Sequence, residues 1–233
     1  MEEKEAQRQK TQTSEKSRRF RLLVFDWDGT VVDSTAPIVR AVQASYRDLG
    51  MAVPEEKAVR YIIGLELGKA FFTLSPDLPE RIVDELLERY RYHYMQDDAA
   101  IPLFDGMRAL LERLDRENYF LAVATGKSRK GLDRMLRQQG LARRFHATRC
   151  ADESFSKPHP EMLLYLMERL SVAPEETLMI GDTTHDLQMA KNARAPSLAV
   201  SWGAHDKENL YKNEPLAIVD SVAALDTWLA VYG

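Results

Sequence analysis

Asp26 and Asp28 stand two residues apart at the end of the apolar run Leu22-Leu23-Val24-Phe25, and Gly29 follows them directly. Carboxylates this close repel each other unless positive charge lies beside them. A hard cation such as Mg²⁺, which prefers oxygen ligands, is one partner that would satisfy them. Asp and Gly are also ordinary turn residues, so this stretch alone reads equally as an acidic turn.

Three later segments carry matching chemistry. Thr125-Gly126-Lys127 follows the apolar run Phe120–Ala124, Lys157-Pro158 precedes a helical pattern, and Gly181-Asp182-Thr183-Thr184-His185-Asp186 follows Leu178-Met179-Ile180. Four carboxylates (Asp26, Asp28, Asp182, Asp186) gathered in one place would be compensated by a divalent cation together with Lys157. Thr125 offers a hydroxyl, and a backbone N–H near a helix start, to a phosphate oxygen. A carboxylate, a metal and a lysine around a phosphate point to phosphoryl transfer through an aspartyl-phosphate. Each residue also has a plainer reading: Lys157 as a solvated lysine, Asp186 as a helix cap, Lys127 as an exposed helix-start residue, His185 as a loop histidine. His159 reads as structural or exposed, and Cys150 as a small buried residue.

The elements that must position these groups follow from periodicity. Short apolar runs at 22–25, 120–124, 178–180 and 197–201 read as strands, with shorter ones at 146–149 and 217–219. Amphipathic helices are expected over 107–118, 128–139, 160–170, 186–193 and 222–231. The alternation predicts an α/β fold, a parallel sheet with helices on both faces. Between Ser34 and Ala100 the pattern is helical throughout, with helices expected over 35–49, 55–63, 69–74 and 79–96. The expected organisation is thus a core of residues 20–33 and 101–233, interrupted at 34–100 by an all-helical cap. Ligands of open parallel sheets bind outside the carboxyl ends of the strands, so all the candidate groups would face one crevice.

Composition narrows the function classes. A chain of 233 residues with 45% hydrophobic and 29% charged residues can bury a sizeable core. A net charge of −4 gives no global basic field for nucleic acid or an anionic membrane. Cys150 is the sole cysteine, which excludes an intramolecular disulfide and fits a reducing, cytoplasmic setting. No apolar stretch is long enough to span a bilayer. Residues 1–19 are almost wholly polar, lack the apolar segment of a secretory signal, and read as a disordered tail.

From Phe20 onward the chain resembles the haloacid dehalogenase-like hydrolase superfamily, and within it the phosphoglycolate phosphatase-like branch. The resemblance rests on four motifs in order: Asp26-Trp27-Asp28-Gly29-Thr30, Thr125-Gly126-Lys127, Lys157-Pro158, and Gly181 to Asp186. It implies a Rossmann-like core with a mobile helical cap, Mg²⁺ as cofactor and a small phosphorylated metabolite as substrate. It further implies Asp26 as nucleophile and metal ligand, and Asp28 as general acid/base whose backbone carbonyl also ligates the metal. Thr125, Gly126 and Lys157 would hold the phosphoryl group, Asp182 would bind the metal directly, and Asp186 would orient ligands around it. The Trp27 side chain would pack near the cap hinge while its N–H faces the phosphate. Specificity would come from the cap, where Arg60, Gly64, Glu66 and Lys69 are the candidates. A phosphoglucomutase-like transferase or a pyrophosphatase shares these motifs. A dehalogenase lacks the second aspartate, and a silent binding module would have lost a motif residue. Substrate identity and oligomeric state are not legible in the sequence.

Overall fold

A computed structural model describes residues 19–97 and 101–233. The expected polar tail over 1–19 falls outside these residues except for Arg19, and so does the end of the expected cap, 98–100.

Strands β1 (Leu22–Phe25), β2 (Phe120–Thr125), β3 (Ala147–Cys150), β4 (Thr177–Gly181), β5 (Ser197–Val200) and β6 (Ile218–Val219) form one sheet in the order β3-β2-β1-β4-β5-β6. All its pairings are parallel. β1 shows why the run must be apolar at every position. Leu23 and Phe25 join a buried cluster with Leu110, Leu114, Leu225 and Leu229, whereas Leu22 and Val24 join Met162, Leu163, Leu166 and Met189. Successive side chains point to opposite faces, and helices cover both, so neither face can be polar. The first face is covered by α5 (Met107–Arg116) and α10 (Val222–Tyr232), the second by α7 (Glu161–Leu170) and α8 (Thr184–Asn192). α6 (Arg129–Gln138) and the short α9 (Lys207–Tyr211) complete the core.

The segment between β1 and α5 holds four helices: α1 (Thr35–Asp48), α2 (Glu56–Ile62), α3 (Leu67–Leu74) and α4 (Glu80–Asp97). α1 lies along α4, and an aromatic chain of Tyr46, Phe71, Tyr90 and Tyr94, with ring centroids 5.5 to 6.2 Å apart, fills the space they share with α3. The two connections to this insertion run side by side. The Asp33 N–H donates to the Pro102 carbonyl at 3.0 Å, and the Phe104 N–H to the Val31 carbonyl at 3.2 Å.

Boundaries differ from expectation where a side chain caps a helix. α3 begins at Leu67 instead of Lys69 because the Glu66 carboxylate accepts from the Gly68 and Lys69 N–H groups. α8 begins at Thr184 because Thr183 and Asp186 form a reciprocal capping box. The expected strand over 146–149 is shifted by one residue, to Ala147–Cys150.

Candidate active site

β1 lies between β2 and β4, so the residues that end these three strands are neighbours. Strand order also reverses at β1 and β4, the topological position where an open sheet leaves a crevice. Asp26 follows β1, Thr125 ends β2, and Asp182 follows β4. All three are fully buried. Gly29 lets the chain pass them: its φ is +79°, and a Cβ there would collide with the Asp182 carboxylate.

The deepest part of the site is a compensated charge cluster. The Lys157 ammonium, wholly buried, donates to Asp26 Oδ1 at 2.6 Å and to Asp186 Oδ1 at 2.7 Å. Asp186 Oδ2 accepts from the Thr183 N–H at 3.1 Å and hydroxyl at 2.7 Å, so Asp186 caps α8 and faces Lys157 at once. Asp182 accepts from the Thr30 hydroxyl at 2.6 Å and the Ala204 N–H at 2.7 Å. Thr125 Oγ1 accepts the Lys127 N–H at 3.2 Å, which leaves its own O–H to donate.

Electrostatics mark the cluster as short of positive charge. Burial raises the Asp26 carboxyl well above the usual range, and Asp186 and Asp182 add to this against the pull of Lys157. Burial, with Asp186 beside it, pushes Asp182 up to about 7. Burial works against the Lys157 charge, yet Asp186 and Asp26 together hold its pKa above the ordinary lysine value. One carboxylate oxygen, Asp26 Oδ2, is buried with no hydrogen-bond partner. Carboxylate oxygens of Asp26, Asp182 and Asp186 lie within 4.8 Å of one another. An all-oxygen donor set with an unsatisfied buried oxygen and carboxylates driven toward protonation fits a hard divalent cation.

Asp28 belongs to a second layer. It lines a cavity of about 520 Å³ between the helical insertion and the segments after β2 and β3. Its Oδ1 accepts from the Ser34 hydroxyl at 2.7 Å, and the Lys127 ammonium lies 3.1 Å away. The opposite wall is mostly apolar, including Ile38, Val42, Ile62, Leu67 and Tyr90.

The four specificity candidates separate. Gly64 and Glu66 line the cavity. Their loop packs directly on the core: a Cβ on Gly126 would lie 2.5 Å from the Leu65 carbonyl oxygen and 2.6 Å from that of Gly64. Lys69 reaches the Lys157 carbonyl at 3.4 Å. Arg60 points elsewhere, pairing with Glu56 at 2.8 Å and donating to the Gly203 carbonyl at 3.2 Å.

Three groups acquire roles that their local sequence does not signal. Lys127 is a cavity residue held between Asp28 and Tyr94, not an exposed helix-start residue. His185 is a buried residue of α8, not a loop histidine. Together with His205 it donates from Nε2 to the Tyr61 carbonyl, at 2.8 and 3.1 Å, and the Tyr61 ring lies against both imidazoles. Burial lowers the pKa of both histidines, that of His185 to about 4, so this contact between α2 and the core is made by neutral rings. His159 is exposed and lies against the Phe155 ring. Cys150 is buried, and burial pushes its thiol up to about 12, which removes it as a nucleophile. Among the described residues no helix is long and apolar enough to cross a membrane.

Residues 23–200 match the family model described as haloacid dehalogenase-like hydrolase. A probable phosphatase, IndB, of Dickeya dadantii is 38% identical over 205 residues, covering 86% of this chain and 89% of the relative. A phosphoglycolate phosphatase of Agrobacterium fabrum is 30% identical over 210 residues, covering 88% and 90%. Among solved structures, one described as a predicted phosphatase from Clostridium acetobutylicum superposes with a TM-score of 0.81 at 26% identity, over 91% of this chain and 99% of that one.

Proposed function

Because the chain belongs to the haloacid dehalogenase-like hydrolases, we propose that it is a Mg²⁺-dependent phosphatase that cleaves a small phosphomonoester through an aspartyl-phosphate on Asp26. The observation that carries this reading is the pairing of the two Asp26 oxygens with unlike surroundings. Lys157 holds Oδ1 at 2.6 Å, while Oδ2 has no partner. A carboxylate pinned by one oxygen is held in a fixed direction, as an in-line nucleophile requires, and keeps its other oxygen open to a cation.

The residues divide the work as follows. An Asp26 oxygen attacks phosphorus and the bond from phosphorus to the leaving oxygen breaks. Asp28, on the cavity side, protonates that oxygen as it departs. Asp28 then accepts a proton from the water that cleaves the acyl-phosphate, and Asp26 is regenerated with release of inorganic phosphate. The Thr125 hydroxyl, the Gly126 N–H and Lys157 hold the transferring group and neutralise its charge. Asp26, Asp182 and the Asp28 backbone carbonyl would ligate Mg²⁺, with Asp186 orienting them. When bound, the cation would neutralise charge building on the phosphoryl oxygens.

The substrate this reading favours is phosphoglycolate, supported by the name of the Agrobacterium relative. The helical insertion, as a cap over residues 34–100, would choose the leaving group, with Gly64 and Glu66 on the cavity wall and Lys69 and Arg60 behind it. A cytoplasmic location fits the single cysteine. The test is hydrolysis of p-nitrophenyl phosphate, followed by a panel of phosphorylated metabolites. Turnover should require Mg²⁺ and stop with EDTA. Turnover that EDTA leaves unchanged would overturn the metal-dependent mechanism, and no turnover of any phosphoester would overturn the reading as a whole.

A further inference from the structure

Asp28 Oδ1 is held from both ends of the helical insertion. At the start, Ser34, the residue before α1, donates its hydroxyl at 2.7 Å. At the other end, Tyr94 of α4 accepts from the Lys127 ammonium at 2.9 Å, and that same ammonium lies 3.1 Å from Asp28 Oδ1. The Lys127 nitrogen also sits 4.5 Å from the Tyr94 ring centroid. The contact is sheltered: the Lys127 and Asp28 side chains are 11% and 10% exposed. An ammonium has several donors but one position, so it cannot follow both partners if they separate.

The two lysines of the site are therefore not equivalent. Lys157 serves the buried cluster and touches core residues alone through its ammonium, Asp26 and Asp186. Lys127 spans from the core to the insertion. Taking Asp28 as the acid/base of the proposed mechanism, we infer that Lys127 is a positioning residue that couples the placement of α4 to the aim of Asp28. With α4 over the crevice, Tyr94 fixes the ammonium and the ammonium fixes the carboxylate. With α4 displaced, Asp28 keeps only Ser34 and loses its orientation toward the leaving oxygen. Proton donation is thereby confined to the closed arrangement, in which water is excluded.

The experiment uses leaving groups that need protonation to different degrees. Phenyl phosphate has a poor leaving group and depends on a general acid, whereas p-nitrophenyl phosphate depends on it much less. Lys127→Met should lower kcat on phenyl phosphate about tenfold more than on p-nitrophenyl phosphate, with KM little changed, the size expected when an acid is misplaced but present. Tyr94→Phe, which keeps the ring and removes only the hydroxyl, should shift the ratio in the same direction and by less. Asp28→Asn sets the limit of the effect. If Asp28→Asn shows the selective loss and Lys127→Met and Tyr94→Phe lose equally on both substrates, the coupling is wrong while the mechanism stands. A rise in KM without a change in the kcat ratio would make Lys127 a substrate contact and also overturn the coupling. If Asp28→Asn itself loses equally on both substrates, Asp28 is not the acid and the inference falls with that assignment.

Discussion

The floor of the crevice and its lid are built on opposite principles. On the floor, Asp26, Lys157, Asp182 and Asp186 are all completely buried and each is fixed by short charge-assisted contacts. The lid offers the cavity an apolar wall, and several of its polar residues are occupied in holding it in place. The Glu66 N–H donates to the Ser156 hydroxyl at 3.0 Å, Arg60 reaches the Gly203 carbonyl, and the Tyr61 carbonyl takes two histidine donors. Buried charges cannot be rearranged without large cost, so the floor suits an invariant step. An apolar wall seated through a handful of hydrogen bonds can open and can be reshaped, so the lid suits selection of the leaving group. On the proposed reading, the difference makes the chemistry and the choice of substrate separable.

The largest blow to the floor is Asp26→Asn. An amide is not a competent nucleophile, so turnover of p-nitrophenyl phosphate should fall at least about a hundredfold, or ~2.7 kcal/mol in barrier, while thermal unfolding remains cooperative. A variant retaining more than that would move the nucleophile elsewhere.

The metal-free floor should also betray itself through pH. Asp182 titrates at about 7 in the fold and near an ordinary ~3.9 in the unfolded chain. Between these values the folded chain binds the extra proton, so stability should fall as pH rises from about 4 to about 7. Calorimetry with EDTA should show this decline, and Asp182→Asn should make it shallower, leaving the part that the raised Asp26 carboxyl contributes. On the proposed reading Mg²⁺ would be held by the ionised carboxylates, so adding it should raise Tm more at pH 8 than at pH 5. Equal Mg²⁺ effects at both pH values would remove Asp182 from the metal site.

For the seam between floor and lid, the sharpest probe is Gly126→Ala. The new Cβ would meet the Gly64 and Leu65 carbonyl oxygens at 2.6 and 2.5 Å, so the loop must retreat. A displacement of about an ångström can cost on the order of a hundredfold in rate, and a loss of about ten- to a hundredfold in kcat/KM is expected. Limited proteolysis should cut the helical insertion faster than in the parent chain. Unchanged cleavage together with lost activity would place the effect at the phosphate instead of the lid.

The smallest effect should come from within the lid. Glu66→Ala removes the cap of α3 and should cost about 1 kcal/mol, or roughly 2–4 °C in Tm. Activity on p-nitrophenyl phosphate should hardly change, because Glu66 does not reach the floor. A large loss on p-nitrophenyl phosphate would give Glu66 a part in the chemistry and blur the division between the two regions.

Legibility in the sequence followed the same division. Asp26, Thr125 and Asp182 are readable because each ends an apolar run that has to be a buried strand; that they lie side by side is decided by the sheet, where β1 falls between β2 and β4. The helical insertion was readable because seventy or so residues carried a helical period and no strand pattern. α9, Lys207–Tyr211, escaped because a single polar turn has no period to detect. The sequence around Lys127 signals no role because its partner Tyr94 lies 33 residues earlier in another element. His185 looked like a loop residue because nothing near it announces that Tyr61 and His205 will enclose it.

By itself the sequence determined the fold class, the order of the strands' polar endings and the types of group available for phosphoryl chemistry. These depend on local alternation of apolar and polar residues, which one segment encodes alone. Only the tertiary structure decided partners: that Lys157 crosses 131 positions to Asp26, that Asp28 answers to Ser34 and Lys127 instead, and that Arg60 faces away from the cavity. The physical reason is that a side chain's direction within its element is a local property, whereas the atom at the end of that direction is set by how separate elements pack to bury their apolar faces.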